Sequence, residues 1–446
     1  MSNLARLYKI ASSPSSAGWL ILQQILSKGI LFIKFIFLAR LLGPDNFSSV
    51  VIILTVIAII EGMSEMGFTQ AIIQSQNQPT SQDISRLQKI FAIRGAVAFL
   101  LTFLALYIIE RAGKINLSTS SILLVSSLPL IKSMSSLGIA IKMKSLSFKY
   151  VFRASATASL LEVLIFAALF IYRPTIQSAV TSFFVIELAK FTLSHAFYPV
   201  KIFCFPEKFN SDLIQFSKGI WGNSVASLLV NQFDKIASIS LMNSNAIAIY
   251  QTGSRLAQSG LSDIGVAMGQ RAYSVFSANL DRGGVELNNQ YAKLYNKMSI
   301  IYGLTASIII LFAKPLIEIV LGSQWSGAVL TFCIATLSSF NGSLISLSVA
   351  LLRSLNKANH ISIVTIYQLI VMILSIYILI TLGKEISSEY MVSISALAVF
   401  FACIALHSFS ISESRKLHEL FKVLFINTIL VFEIIIVHNY VWKGGI

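Results

Sequence analysis

Charge is scarce in this chain, and acid is scarcer than base: 19 Asp and Glu stand against 34 Lys and Arg, together 12% of 446 residues. A water-soluble domain charges about a quarter of its positions, so this composition excludes one. Cysteine is nearly absent. Cys204, Cys333 and Cys403 lie far apart and match no metal-ligand or redox spacing, which reads them as small apolar packers. The five histidines, His195, His360, His407, His418 and His438, are scattered and read as packed or interfacial residues. The sequence has no phosphate loop, no H-E-x-x-H and no G-x-S-x-G. No catalytic residue, metal or cofactor is assigned, and no ATPase is built in. The connections between apolar runs are also too short for a catalytic or extracellular domain.

What is present is apolar length. Hydrophobic residues make up 55% of the chain, mean hydropathy is +0.77, and a bilayer span needs about 20 such residues. Thirteen runs qualify: 17–42, 47–66, 87–110, 117–141, 152–172, 176–200, 214–243, 246–272, 294–322, 326–353, 361–383, 390–411 and 420–441. The first is too long for a signal peptide and lacks a small-residue cleavage site, so it is expected to be retained. The fold class is therefore an all-α polytopic membrane protein of about 12–14 transmembrane helices. A polar segment from Lys201 to Ser211 divides the chain. The expected organisation is a six-helix bundle over 1–205, a second over 206–411, a central cavity between them, and an additional transmembrane helix over 412–446.

Lys and Arg in the connecting segments and close to the ends of the runs are distributed unequally. Eighteen fall on the side of the N-terminus and six on the other, which predicts a cytoplasmic N-terminus. The net charge of +15 is thus mostly topology. Dispersed over short loops, these cations suit anionic lipid headgroups and suggest no nucleic-acid partner.

Ten further cations lie inside the runs: Lys28, Lys34, Arg94, Lys132, Lys190, Lys218, Lys235, Arg255, Lys314 and Lys422. Each costs about 2.5–3.5 kcal/mol at mid-bilayer on the insertion scale, so such groups face a partner or a wet cavity. Intramembrane charge in a polytopic bundle points to a transporter, and a cationic cavity to an anionic cargo. Lys28, Lys132 and Arg255 lie deepest. Arg94, Lys218, Lys314 and Lys422 lie near run ends, within snorkelling reach of the interface. Lys190 follows Glu187 by three residues, on one helical face.

Four stretches carry a family resemblance: Leu38-Ala39-Arg40-Leu41-Leu42-Gly43-Pro44-Asp45-Asn46-Phe47; Ser64-Glu65-Met66-Gly67-Phe68 with Ala71-Ile72-Ile73; Asn231-Gln232-Phe233-Asp234-Lys235 through Tyr250 and Arg255; and Leu321-Gly322-Ser323-Gln324-Trp325 followed by Leu352-Arg353-Ser354-Leu355-Asn356-Lys357. Together they resemble the Wzx-like polysaccharide flippases of the multidrug/oligosaccharidyl-lipid/polysaccharide exporter superfamily. Ser48 departs from the pattern, which commonly has glycine there. The resemblance implies translocation of an undecaprenyl-pyrophosphate-linked oligosaccharide between leaflets of the bacterial cytoplasmic membrane, for O-antigen or exopolysaccharide synthesis. It also implies a polysaccharide polymerase and a chain-length regulator as partners.

On that reading Lys28, Arg255 and Lys132 are the candidate pyrophosphate contacts, the alternative for each being a structural ion pair. Gln24, Asn223, Asn231 and Gln251 are candidates to line the sugar path, or else to bond helix to helix. Glu61 and Glu65, one helical turn apart, and Asp234 are candidates to bind a coupling ion, a proton or sodium; Asp234 could equally lock two spans together. Gly219, Gly222, Gly253 and Gly260 are expected to permit close helix approach, and Pro129 and Pro315 to kink their spans. Three other functions remain open: a multidrug or organic-cation antiporter of the same superfamily, which should have an acidic cavity; a lipid II flippase; and an O-unit polymerase or ligase, which should carry a substantial periplasmic loop.

Overall fold

The protein's structure, a computed structural model, describes residues 18–64, 81–145, 147–198, 228–280, 284–411 and 416–442. Glu65, Lys218, Asn223, Cys204, Gly219, Gly222 and the segment from Lys201 to Ser211 lie outside those residues. Every regular element among the described residues is helical, as hydrocarbon requires, because a helix satisfies its own backbone polar groups. Nine of these helices are long and apolar enough to cross a membrane. This is a multi-pass membrane protein. Two compact units, 1–231 and 232–446, divide the chain.

The first unit begins with α1 (Gly18–Ser64), which merges the first two expected spans across Gly43 at φ 70° and ψ 168°. Phe35 and Phe47 have ring centroids 5.2 Å apart, although twelve residues of straight helix span about 18 Å. The chain therefore reverses at Gly43, whose positive φ a residue with a Cβ adopts only with strain, and Pro44 supplies a helix-starting φ. Ser48 is buried and donates to the Asp45 carbonyl at 2.6 Å, so the hydroxyl serves the new helix's first turn.

Next come α2 (Ser81–Arg111), α3 (Thr119–Met134), α4 (Gly138–Lys144), α5 (Phe148–Phe166, extended by a π turn over Ala167–Ile171) and α6 (Ile176–Phe197). The single run expected over 117–141 breaks between α3 and α4. Gln88 of α2 donates to the Met134 and Ser135 carbonyls at 2.8 and 3.0 Å, capping groups that helix ends leave unpaired. Helix α1 packs on α2, α5 and α6, and α3 lies against α2 and α6.

Helical residues 228–241 form α7, whose residues from Gln232 onward open the second unit. Then follow α8 (Ser244–Ala257), a π turn over Gln258–Ser262, α9 (Asp263–Ala278), α10 (Gly284–Leu311), α11 (Ala313–Val320), α12 (Ala328–Ser354), α13 (Ala358–Thr381), α14 (Ser388–Ser410) and α15 (Lys416–Ile436), which runs on as a π turn over Val437–Trp442. The run expected over 294–322 breaks at Phe312, because Pro315 offers no N–H and its ring excludes the Leu311 carbonyl. Pro129, by contrast, sits within a continuous α3. Helix α12 is the hub, packed by α8, α9, α10 and α14, with 67% of its membrane window buried against 17% for α13.

Close packing on the hub comes from glycines outside the expected set. A Cβ on Gly265 would lie 2.5 Å from the Ser343 Cα, and one on Gly269 would lie 2.8 Å from the Ser346 carbonyl oxygen. This four-residue spacing lets two backbones touch. Gly253 is looser, at 3.2 Å from Thr331, and Gly260 is looser still, at 3.7 Å from Ile309. Gly265→Ala is expected to lower the unfolding free energy of the detergent-purified protein by about 1–3 kcal/mol. Gly29→Ala meets nothing within 4 Å and should cost nothing. Indistinguishable denaturation curves for the two variants would refute the close contact.

Candidate functional site

Each unit carries a polar cluster inside its apolar packing. In the first, charges converge that pair across as many as 128 positions in sequence, because an ionised group in a helix bundle is stable only when paired and hydrogen-bonded. Helix α1 supplies Lys34 and Glu61, α3 supplies Lys132, α5 supplies Glu162, and α6 supplies Glu187 and Lys190. Glu162 is the centre. One carboxylate oxygen accepts from the Lys34 ammonium and the other from Lys190 at 2.6 Å. Lys34 also lies over the Phe183 ring, 5.4 Å from its centroid. Lys132 pairs with Glu61 at 2.5 Å. Glu187 is attracted by Lys190 and Lys132, one lysine from each pair, and repelled by Glu61 and Glu162, so the two pairs share one electrostatic neighbourhood.

Exposure within this network is graded. The Lys34 and Glu162 side chains are 13% and 9% exposed, whereas Lys190 reaches 36% and Lys132 58%. Of the three lysines, Lys132 is the one an added anion reaches most readily, since its ammonium has donors beyond the one given to Glu61. Lys132 and Glu61, expected as a phosphate contact and a coupling acid, are therefore partners of one ion pair. Lys190 bonds Glu162 rather than its helical neighbour Glu187. Lys28 and Gln24 lie exposed on α1, and Arg94 donates to Ser133 at 3.2 Å with its guanidinium over Phe91.

In the second unit, Asp234 of α7 accepts from the fully buried Tyr250 hydroxyl of α8 at 2.5 Å. Both face a cavity of about 140 Å³ whose wall includes Ser254, Gln258, Ser262, Ser339 and Ser395. The π turn over Gln258–Ser262 opens the helix beside this cavity, a distortion that recurs at functional sites; Ser343 donates to its Leu261 carbonyl at 3.0 Å. Lys235 feels Asp234 and Arg255, and half-buried Arg255 feels Asp263. Gln251 is buried and donates to Ser238 at 3.3 Å. Asn231 is exposed on α7. Asn341 and Asn427 exchange bonds at 2.8 and 3.2 Å, tying α15 to the hub.

Nothing in the sequence alone joins Lys34, Glu162 and Lys190. The available signal was that each falls in an apolar run, where a lone charge demands a counter-charge; which partner it finds depends on helix order and rotation.

The multi-pass helical fold, with charged and carboxylate-bearing clusters in its spans, has counterparts among solved structures. An inward-facing multidrug resistance MATE family transporter of the MOP superfamily superposes with a TM-score of 0.66 at 14% identity, covering 91% of this chain and 96% of the other. The inward closed form of the lipid II flippase MurJ gives 0.64 at 13%, covering 95% and 99%. A MOP superfamily transporter from Pyrococcus furiosus, described as having a binding pocket of reversed polarity, gives 0.54 at 12%, covering 94% and 97%. No curated protein matches the chain. Over residues 37–330 the sequence matches the polysaccharide biosynthesis protein family, and the chain belongs to that family. Of the four resembling stretches, all but Leu352–Lys357 lie within the matched residues.

Glu162 serves two lysines, so Glu162→Gln leaves both without their carboxylate and is expected to destabilise the protein by about 3–5 kcal/mol. Lys34→Met removes one buried charge, leaves Glu162 paired with Lys190, and should cost less. Denaturant unfolding of the purified variants measures both; the reverse order would show that Glu162 is not the centre of the network.

Proposed function

We propose that the protein is a flippase for an undecaprenyl-pyrophosphate-linked oligosaccharide, moved by alternating access from the cytoplasmic to the periplasmic leaflet for surface polysaccharide synthesis. The observation that carries this reading is the match to polysaccharide biosynthesis proteins in a chain built of membrane spans. Unpaired sugar hydroxyls cost about 4–8 kcal/mol each on entering hydrocarbon, so the headgroup needs a polar path while its lipid tail stays in the bilayer. Lys28, Lys132 and Arg255 are the proposed pyrophosphate contacts, and Gln24, Asn223, Asn231 and Gln251 the proposed sugar contacts.

The Lys132–Glu61 pair supports a specific coupling step. Pyrophosphate takes Glu61's place at Lys132, and the released carboxylate takes up a proton or sodium. Binding of the anionic cargo and of the coupling cation are then two halves of one exchange. Asp234, in its hydroxyl-rich cavity, is proposed as a second cation site.

The test is deletion of the gene, with complementation and assay of leaflet-specific lipid-linked oligosaccharide. Accumulation on the cytoplasmic face, rescued by wild type and reduced about tenfold or more in rescue by Lys132→Ala or Arg255→Ala, is expected. Glu61→Gln should retain transport that no longer responds to the ion gradient. Single units accumulating on the periplasmic face would indicate a polymerase, lipid II accumulation a lipid II flippase, and unchanged polysaccharide an antiporter.

A further inference from the structure

One acid in the spans of the second unit takes no part in the steps above. Glu433 lies on α15 in an apolar stretch, between Phe432 and Ile434. It faces α10, where the Ser307 hydroxyl oxygen comes within hydrogen-bond distance of both carboxyl oxygens, at 2.9 and 2.8 Å. Other acids of the spans have lysines beside them: Glu162 has two, Glu61 one, and Glu419 on α15 itself has Lys422. Among the described residues Glu433 belongs to no ion pair.

The helices against which α15 packs are α10, α12 and α14, and their sequences offer it no cation. Helix α10 has no Asp, Glu, Lys, Arg or His between Lys297 and Leu311, α12 none between Ala328 and Leu352, and α14 none between Glu389 and His407. The titratable groups on those stretches are Tyr302, Cys333, Tyr390 and Cys403, of which Cys333 feels the Glu433 charge. His438, five residues along α15, lines a cavity between α15, α12 and α14, whereas Glu433 faces α10.

A carboxylate without a counter-charge in hydrocarbon takes up a proton rather than remain ionised. The contact geometry points the same way. Ser307 has one O–H to donate, which serves one carboxyl oxygen in a straight bond. The second contact is satisfied by a proton on the carboxyl, which then donates back to the Ser307 oxygen. The seam around the pair opens outward: Glu433 and Ser307 are half-buried, and Leu304, Ile308, Ile429, Phe432 and Ile436 beside them are exposed apolar side chains that suit lipid.

We propose that Glu433 is a proton-binding site open to the bilayer: at neutral pH it is a carboxylic acid that donates to Ser307 and accepts from it, and it is thereby a site of covalent modification by apolar carbodiimides. In that reaction the acid proton passes to one carbodiimide nitrogen while a carboxyl oxygen bonds the central carbon. The acyl group then shifts to the other nitrogen, giving an N-acylurea that contains every atom of both reactants. A carboxylate has no proton to give and does not start the sequence.

The full chain in lipid nanodiscs tests the site without any cargo, so the outcome is independent of the polysaccharide reading. Dicyclohexylcarbodiimide at about pH 7 is expected to add its whole mass to the peptide that carries Glu433. Labelling there should exceed by about tenfold or more that of Glu385, an exposed acid of a type that ionises near pH 4.3 in water, about 4.3 being the model-peptide value. The infrared difference between wild type and Glu433→Gln should contain an acid carbonyl band and no carboxylate bands. Ser307→Ala should move that band to higher wavenumber, because the carbonyl loses its donor. Carboxylate bands at about pH 7, an acid band unmoved by Ser307→Ala, or labelling of Glu433 no greater than that of Glu385 would each overturn the proposal.

Discussion

Hydrocarbon supplies no hydrogen bonds, so every backbone group and every charge within the spans must be satisfied by the protein itself. That constraint organises the first unit. Glu162 at its centre holds α1, α5 and α6 together by bonding two lysines, and the Lys132–Glu61 pair adds α3. Apolar packing between membrane helices is weakly directional because lipid tails compete for the same contacts. Ion pairs are directional. They select which helices meet and in what rotation, although a buried pair is not in itself a large source of stability.

The second unit meets the same constraint by other means. Its hub, α12, accepts α9 through glycine contacts at Gly265 and Gly269 and α15 through the reciprocal Asn341–Asn427 bonds. Ser307 adds a further tie from α10 to Glu433 of α15 at 2.8 Å. Neutral amides, hydroxyls and small residues here do what lysines and glutamates do in the first unit. Its ionisable groups include Asp234 and its neighbours beside a hydroxyl-lined cavity, Glu433 and the Glu419–Lys422 pair.

Much of this was legible in the sequence, and the physical reason is the length of the apolar runs. Spans at 152–172, 326–353, 361–383 and 390–411 lie within a few residues of α5, α12, α13 and α14, because a run of about 20 apolar residues has few alternatives to a membrane helix. The break at Phe312 was legible only as a kink expected at Pro315, and the break after Met134 was not legible at all. The first depends on a proline acting four residues upstream, and the second on a glutamine from another helix. Charge partners were legible only as a need. Lys34 required a carboxylate, but its choice of Glu162 over Glu187 is fixed by how α5 and α6 are rotated, which one sequence does not state. The glycine contacts escaped for the same reason, since Gly265 and Gly260 differ in what faces them and not in composition.

The reversal at Gly43 bears on how the chain enters the bilayer. A bend of one residue leaves the flanking helices no slack, so neither can be threaded while the other waits in water. The two helices are placed as one hairpin. Arg40 and Asp45, both exposed beside the bend, are of opposite sign, so the tip carries no net charge.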